Sequence, residues 1–339
     1  MNSAQLHDAV HQAVAVAALA PSSHNSQPWR FHHEAGRIEL HADRERRLPV
    51  VDPEDRELEI SCGAALEQLL LALHDLGLAC QLKLGDSASD LLAVVTVSLR
   101  PLHEQSVQPQ PTTPRHLDAM KRRRTHRQPF DDRPLRPELL EAVHVEAASR
   151  GAWLTQVSPD QRQQVADLVA EGARRQMADV DFRLELARWI SPGISRRRDG
   201  IRPYGLGVPA LLSPAAPLAV RLRDPGRRQA RTAASMVLSA PEVVVLGAAG
   251  DTRCDRLAVG RALTAILLRL TAEGACASFL NQPVEVPDLR ARLQRLVDVP
   301  GMPHLVLRIG YGKPARPQPR RQLADILTCA ATEAESLPG

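Results

Sequence analysis

The side chains with the greatest capacity for chemistry are concentrated in one short stretch, Ala20-Pro21-Ser22-Ser23-His24-Asn25-Ser26-Gln27-Pro28-Trp29-Arg30-Phe31. Pro21 ends a predicted helical run, and the short polar side chains that follow it supply hydrogen-bond donors and acceptors in one tight loop. Such a loop suits a ligand with polar edges and a flat apolar face. The alternative is an Asx- or Ser/Thr-type turn that closes the helix and binds nothing.

A second candidate site is the basic run Lys121-Arg122-Arg123-Arg124-Thr125-His126-Arg127-Gln128-Pro129-Phe130. Clustered arginine beside a hydroxyl can bind a phosphate through bidentate, charge-assisted hydrogen bonds. A solvated basic surface and a nucleic-acid patch are the alternatives. The near balance of 43 basic against 39 acidic residues and an aromatic content of 3% argue against nucleic acid.

Composition places the chain among soluble globular proteins. Its 339 residues are 44% hydrophobic, enough for one large domain or two ordinary ones. The five cysteines are far apart and have no metal-ligand spacing, which predicts reduced thiols in a cytoplasmic protein without a metal site. The N-terminus does not resemble a signal peptide, and no apolar run is long enough to cross a membrane.

The chain has an internal similarity. The segment Gly63–Gly77 aligns without gaps with Gly260–Gly274 and is identical at seven of fifteen positions. Each is predicted to be a buried helix that stops at its second glycine. Strand-like segments follow both helices, at Leu78–Leu84, Leu91–Leu99, Ala275–Leu280 and His304–Ile309.

These elements predict an α+β fold. It would have two pseudo-symmetric halves, each with a small mixed or antiparallel sheet and a central buried helix, and the two helices would be adjacent. The first half spans residues 1–100, a proline-rich linker spans 101–119, and the second half spans 120–330.

The polar loop closely resembles the APSxxNSQPW loop of the FMN-dependent nitroreductase family. The basic run resembles the R-R-S-x-R-x-F signature of the same family, with Thr125 in place of serine and one extra residue before Phe130. The resemblance covers residues 9–100 and 120–325. Because the loop occurs only in the first half and the arginine segment only in the second, the chain resembles the Acg-like branch, in which one chain mimics a dimer. The resemblance implies a nitroreductase-like fold, a tandem duplication, a monomer and one FMN per chain.

The resemblance also implies which residues bind FMN, while the flavin itself carries the chemistry at N5. The phosphate would meet Arg123, Arg124, Thr125 and Arg127, together with Lys313 or Arg316 after the last strand. Arg320 and Arg321 are in reserve, with a disordered basic tail as the alternative. The ring or ribityl chain would meet Ser22, Ser23, Asn25 and Gln27, and the loop with Asn281 and Gln282 matches the place where the family has a backbone N–H near N5. His24 would donate to the flavin or substrate, or else be a surface histidine.

The function implied is an FMN-dependent oxidoreductase in which NAD(P)H drives two-electron reduction of a nitro, quinone or related small-molecule acceptor. One segment leaves the choice between two functions open. Residues 175–215 are rich in glycine and proline and contain Trp189 and Tyr204, which is typical of a lid or of a linker packed on the core. A lid that excludes nicotinamide would make the chain a non-catalytic FMN-binding or FMN-sequestering protein, the alternative function.

Overall fold

The computed structural model describes residues 3–86, 89–98, 116–192, 195–206, 210–222, 224–299 and 301–329. In these ranges the chain forms nine strands: β1 (Trp29–Glu34), β2 (Arg37–Ala42), β3 (Ala79–Leu84), β4 (Leu91–Ser98), β5 (Trp153–Gln156), β6 (Glu242–Ala248), β7 (Cys276–Phe279), β8 (Met302–Gly310) and β9 (Leu327–Cys329). The first five helices are α1 (Ser3–Ala17), α2 (Arg56–Asp75), α3 (His116–Arg122), α4 (Pro137–Ala148) and α5 (Pro159–Ala178). The others are α6 (Val180–Trp189), α7 (Ala216–Leu222), α8 (Gly226–Leu238), α9 (Arg253–Ala272), α10 (Gln282–Glu285) and α11 (Pro287–Val297).

The strands form two sheets, which confirms the predicted α+β class. The first has the order β3-β4-β2-β1-β9 and is antiparallel except for the parallel pair β1 and β9. The second has the order β5-β6-β8-β7 and is antiparallel throughout. Strand β9 follows the second sheet in sequence but pairs with β1, with His33 opposite Cys329. The C-terminal end of the chain therefore completes the first sheet.

The two predicted central helices are α2 and α9, and they pack directly against each other. A side chain at Gly63 would meet the Leu257 carbonyl oxygen 2.4 Å from its Cβ, and one at Gly260 would meet the Ile60 carbonyl oxygen at 2.0 Å. Only glycine therefore permits this close approach of the two backbones. The predicted stops are confirmed, since Gly77 and Gly274 have φ angles of +78° and +75° just beyond the helices.

Both central helices begin earlier than the repeated segments. Helix α2 starts at Arg56, seven positions before Gly63, and α9 starts at Arg253 after a capping box made by Thr252 and Asp255. The additional turns matter because they carry polar side chains toward the centre of the molecule, as described below.

The cores of the two halves interlock at these helices. Leu257 of α9 is buried in the core of the first sheet, together with Trp29 and Phe31. Ile60 of α2 is buried in the core of the second. Trp29 thus belongs to strand β1 and the hydrophobic core, although the sequence placed it in the polar loop. Each helix contributes to both cores, which fixes the two halves relative to one another.

Part of the predicted lid is regular structure. Residues 180–189 form helix α6, since the Asp179 side chain accepts hydrogen bonds from the Asp181 and Phe182 amides at its start. The predicted linker 101–119 lies outside the described residues up to residue 115, and helix α3 begins at His116. Among the described helices, none has the length and apolarity needed to cross a membrane.

Candidate functional site

A cavity of about 190 Å³ lies beside the crossing of α2 and α9. The polar loop, both central helices, the basic segment and the turn after β7 all line it. Its apolar wall is formed by Ile60, Leu263, Phe279 and Leu305, and Ile201 adds to it. Its polar wall is formed by Ser22, Ser23, His24, Glu57, Ser61, Thr125, Arg127, Asn281, Gln282 and Glu285. One apolar side and one polar side are the features expected of a site for a flat molecule with polar edges.

A smaller cavity of about 80 Å³ adjoins it and shares Pro21, Ser22, Thr125 and Arg127 with it. We call this smaller space the basic cavity. Its other lining residues are Leu19, Asn25, Arg123, Arg124, Arg316, Gln318 and Arg320. Five arginines therefore line one small space, and the lining contains no carboxylate.

The polar loop is held in an unusual backbone conformation. His24, Asn25 and Gln27 have φ angles of +51°, +56° and +54°, in the left-handed region that costs a residue other than glycine about 1 kcal/mol or more. Hydrogen bonds compensate: the Gln27 amide donates to the Ser22 hydroxyl at 3.0 Å, and the Gln27 side chain donates to the Asn25 carbonyl at 3.1 Å. The loop is a built structure and more than a turn that closes a helix.

The basic segment reaches the site by pairing with the second sheet. Thr125 forms a bridge with Ala277 of β7, and the His126 amide donates to the Ala277 carbonyl at 2.9 Å. The buried Arg308 side chain donates to the His126 carbonyl at 3.1 Å. The alternative of a solvated basic surface is therefore wrong for Arg123, which is 4% exposed.

The arginines of the basic cavity carry positive charge that the protein does not neutralise. Burial, and next the neighbouring Arg320 and Arg124, together lower the pKa of Arg123 to about 9. Burial and Arg124 lower the pKa of Arg320 to about 10. The Nε atoms of Arg123 and Arg320 are buried without a hydrogen-bond partner in the described structure. Such a site fits an anion that brings both charge and acceptor oxygens.

Two of the residues predicted to bind FMN, Gln27 and Lys313, do not line either cavity. Gln27 is fully buried and does not line either cavity; its side chain donates to the Arg198 carbonyl at 3.0 Å and accepts from the Arg321 amide at 2.7 Å. Lys313 is exposed and also lies outside both linings, because the chain turns away after β8. Arg320 and Arg316 line the basic cavity instead.

Arg320 and Arg321 are ordered, and the alternative of a disordered tail is wrong for both. Arg320 donates to the Asn25 side chain at 2.7 Å. Arg321 forms an ion pair of 3.1 Å with Asp43. The other predicted residues, namely Ser22, Ser23, His24, Asn25, Arg123, Arg124, Thr125, Arg127, Asn281, Gln282 and Arg316, all line one cavity or both.

His24 lies in the wall of the larger cavity and is not a surface residue. Its pKa is lowered to about 4, chiefly because it is buried; the nearby Glu57 opposes the shift and Arg127 adds to it. Its Nδ1 atom is buried and has no partner among the described residues. The imidazole is therefore neutral at neutral pH, and one of its ring nitrogens remains free for a ligand.

Sequence reasoning missed a pair of acidic side chains at this cavity, Glu57 and Glu285. Glu57 accepts hydrogen bonds from the Ser23 hydroxyl and, at 3.2 Å, from the Asn281 side chain. Burial, and next the neighbouring Glu57, hold the pKa of Glu285 well above its usual range. Gln176 and Arg56 oppose this shift, and the net direction favours the protonated acid at this position in the cavity wall. A longer predicted helix α2 would have indicated Glu57 and Ser61, which are four residues apart on one face.

The segment 195–202, which we call the covering segment, packs over the polar loop. The Asn25 side chain donates to the Gly200 carbonyl at 3.1 Å, and the Gly200 amide donates to the Asn25 carbonyl at 3.3 Å. Asp199 forms an ion pair with Arg46. Ile201 thereby becomes part of the cavity wall.

Comparison with known proteins gives full-length relatives. No family model matches the chain. The Mycobacterium tuberculosis (strain ATCC 25618 / H37Rv) protein named "Putative NAD(P)H nitroreductase Rv3131" is 30% identical over 333 residues, which cover 94% of this chain and 91% of the relative. The protein of the same strain named "Putative NAD(P)H nitroreductase acg" is 26% identical, over 96% of this chain and 97% of the relative.

Similarity to solved structures is more remote. The FMN and NADPH-dependent nitroreductase NfnB from Sphigopyxis sp. strain HMH is 20% identical with a TM-score of 0.42, and the match covers 63% of this chain and 97% of that one.

Proposed function

The chain belongs to the nitroreductase family, and from this premise we propose that it binds one FMN and uses NAD(P)H to reduce a nitro, quinone or related small-molecule acceptor by two electrons. The names of its relatives support the electron donor and the reaction class. The residues that carry the proposal are those of the two adjoining cavities.

The phosphate of FMN fits the basic cavity. Arg123, Arg124 and Arg320 present guanidinium groups there without a carboxylate among the lining residues, and two of their Nε atoms have no partner in the described structure. A phosphate dianion would supply both the missing charge and the missing acceptors. This unneutralised arginine cluster, joined to a cavity of mixed polarity, is the observation that carries the proposal.

The larger cavity fits the flavin ring and ribityl chain. Ile60, Leu263 and Leu305 offer an apolar surface for the flat ring. Ser23, His24 and the free Gln282 Oε1 offer polar atoms for its edges. Phe279 and Asn281 begin the turn that the family resemblance assigns to a backbone N–H near N5.

When bound, FMN supplies the two-electron chemistry, accepting a hydride from NAD(P)H and passing two electrons through N5 to the acceptor. The protein binds and orients, and it supplies protons. Reduction of a nitro group or quinone by two electrons consumes two protons, of which the nicotinamide hydride accounts for one. We assign the other to Glu285, whose raised pKa favours the protonated acid and which lies in the cavity wall.

One substitution tests the phosphate assignment. Arg124→Ala removes a guanidinium from the basic cavity, and hydrogen bonds to charged groups contribute about 1.5–3 kcal/mol, so FMN affinity should fall about 10- to 150-fold. The matched control is Arg122→Ala, since Arg122 is an exposed neighbour that pairs with Asp118 at 2.7 Å. Fluorescence titration of the FMN-free protein measures both. Equal FMN affinities in the two variants would contradict the assignment.

The second candidate function is FMN storage without turnover. It is favoured by the covering segment, which closes over the polar loop through hydrogen bonds to Asn25 and Gln27 and an ion pair to Arg46. An anaerobic visible spectrum separates the two functions. Bleaching of the flavin on addition of NADPH or NADH supports the reductase. A flavin that stays oxidised with both donors supports storage, and protein that cannot be loaded with FMN contradicts both.

We also propose that one chain forms the complete FMN site from its two halves and so mimics a dimer. The polar loop, Glu57 and Ser61 come from the first half, and the arginines, Asn281 and Glu285 come from the second. Since α2 and α9 pack on each other within the chain, we expect a monomer with one FMN per chain. Sedimentation of the FMN-loaded protein, together with its flavin content, tests this proposal.

A further inference from the structure

Four side chains of types that can bind a metal, from three separate parts of the sequence, meet where helix α1 lies beside the face of β1 that also carries the buried Trp29 and Phe31. His7 and His11 lie one helical turn apart on α1. His33 lies on β1, and Cys329 is its direct partner on β9. None of these four side chains lines either of the two cavities.

The four side chains are close together. Ligand atoms of His7, His33 and Cys329 all lie within 4.8 Å of one another. The His11 Nε2 atom lies 3.3 Å from the Cys329 Sγ atom. The rings of His7 and His11 have centroids 4.1 Å apart, and those of His7 and His33 are 5.6 Å apart.

His33 supplies an independent reason to expect a ligand. It is only 6% exposed, and neither of its ring nitrogens has a hydrogen-bond partner in the part of the chain that the structure describes. A buried imidazole without a partner is costly, because its polar atoms have lost water and gained nothing. A metal ion would satisfy one of these nitrogens.

We propose that His7, His33 and Cys329 bind a zinc ion, with His11 as the fourth ligand. Zinc prefers imidazole nitrogen at about 2.0–2.1 Å and thiolate sulfur at about 2.3 Å in a tetrahedron. Those bond lengths place neighbouring ligand atoms about 3.3–3.6 Å apart. The His11 to Cys329 distance already lies in this range, and side-chain rotation would have to bring the ligand atoms of His7, His33 and Cys329 closer than their present separations of up to 4.8 Å.

The zinc ion would be structural. It would join the N-terminal helix α1 and the C-terminal strand β9 to strand β1 between them. The loop that lines the cavities follows α1, and Arg320 lies a few residues before β9. The metal would therefore hold α1 and β9, the elements next to these lining residues, in place without itself lining a cavity. Four protein ligands leave no open position for a substrate.

Zinc titration of the chelator-treated, tag-free full chain tests this proposal, with calorimetry as the readout. We expect one zinc per chain and a higher melting temperature with zinc than without. Cobalt substituted for zinc should give the absorption of a thiolate-bound tetrahedral ion.

Two variants at exposed ligands avoid the risk of disturbing the core. His7→Ala and Cys329→Ser should each weaken zinc binding about tenfold or more and abolish zinc-dependent stabilisation. His32→Ala and Cys254→Ser are the matched controls, since His32 is the neighbour of His33 on β1 and Cys254 is an exposed thiol elsewhere. Both controls should keep wild-type affinity.

Two results would overturn the proposal. One is a wild-type chain that takes up no zinc above micromolar affinity. The other is zinc binding that is the same in His7→Ala, Cys329→Ser and the controls. FMN binding is independent of both readouts, so the outcome does not depend on the proposed function.

Discussion

The two adjoining cavities share four lining residues and differ in the ionisable side chains that line them. The basic cavity has Arg123 and Arg320 without an acidic partner in its lining. The larger cavity has Glu57 and Glu285, and burial, followed by the proximity of Glu57, raises the pKa of Glu285. The comparison teaches that arginines and acids are unequally distributed at this site, since among the described residues Arg127 is the one arginine that lines the larger cavity and no acid lines the basic cavity.

Elsewhere in the molecule, buried charges are paired in the ordinary way. Glu67 accepts from Arg150 at 2.7 Å and from Arg261 at 2.8 Å, which joins α2 and α9 to the turn after α4. Glu59 pairs with Arg253 at 2.9 Å. Unpaired buried charge costs stability, and a fold that keeps Arg123 and Arg320 without an acidic partner in the basic cavity has a functional reason to do so.

The largest effect is expected from a substitution in the larger cavity. Glu285→Gln keeps the size and polarity of the side chain but removes its transferable proton, so kcat for NADPH-dependent quinone reduction should fall about 100-fold or more. In the wild type the rate should also fall as the pH rises through the raised pKa of Glu285. The variant should lose this pH dependence and retain its FMN.

The matched control for this prediction is Glu273→Gln, an exposed glutamate that pairs with Arg136. It should leave kcat and its pH profile unchanged. A Glu285→Gln enzyme with the wild-type rate would mean that water supplies the proton, and the contrast between the cavities would then concern binding alone.

A smaller effect is expected for the pH dependence of stability. The pKa of His24 is lowered to about 4 in the folded state, whereas histidine in an unfolded chain has a pKa of about 6.5. Below that value the unfolded chain binds a proton that the folded chain does not, so stability falls as the pH falls. The loss should be about 2 kcal/mol between about pH 7.5 and about pH 5.

His24→Asn isolates this contribution, because asparagine tolerates the left-handed backbone at this position and does not titrate. Urea unfolding of FMN-free protein at both pH values measures it. The variant should lose less stability than the wild type over this interval. An identical loss in both proteins would show that His24 is not the group responsible.

Much of this arrangement could be predicted from the sequence. The second glycine of each repeat predicted where α2 and α9 end, because the left-handed turn at a helix end favours glycine wherever it occurs. The first glycine of each repeat lies inside its helix, and the starts of the two helices were not predicted. The polar loop and arginine segment were found because residue type and spacing are local properties. Their family resemblance then brought them to one site, which composition alone could not do.

The residues that were missed depend on long-range contacts. Glu285 is one acidic residue among many, and only burial beside Glu57 distinguishes it. Arg320 was named only in reserve behind Lys313, because its hydrogen bond to Asn25 is a long-range contact that the sequence does not reveal. The same holds for Cys329: no metal-ligand spacing exists in the sequence, since the parallel pairing of β1 with β9 creates the contact with His33.

The smallest expected effect concerns the covering segment, which contributes Ile201 to the wall of the larger cavity. Asp199 holds the covering segment through Arg46, and it also pairs with Arg197 at 2.9 Å. Partly exposed ion pairs of this kind contribute about 0.2–1 kcal/mol. Asp199→Asn should therefore raise the equilibrium constant for opening of the covering segment only a few-fold. If opening limits the access of nicotinamide, stopped-flow reduction of the FMN by NADPH should accelerate by that factor.

Asp181→Asn, an exposed change on helix α6 outside the covering segment, should leave the reduction rate unaltered. The pair of variants also bears on the choice between reductase and storage protein. A wild type that is reduced slowly and an Asp199→Asn variant that is reduced faster would mean that the cover regulates turnover. Equal resistance to NADPH in the wild type and in both variants would mean that the larger cavity admits FMN but not nicotinamide, whatever the position of the covering segment. The difference between the cavities would then serve to retain FMN, with the buried acid as part of its binding surface.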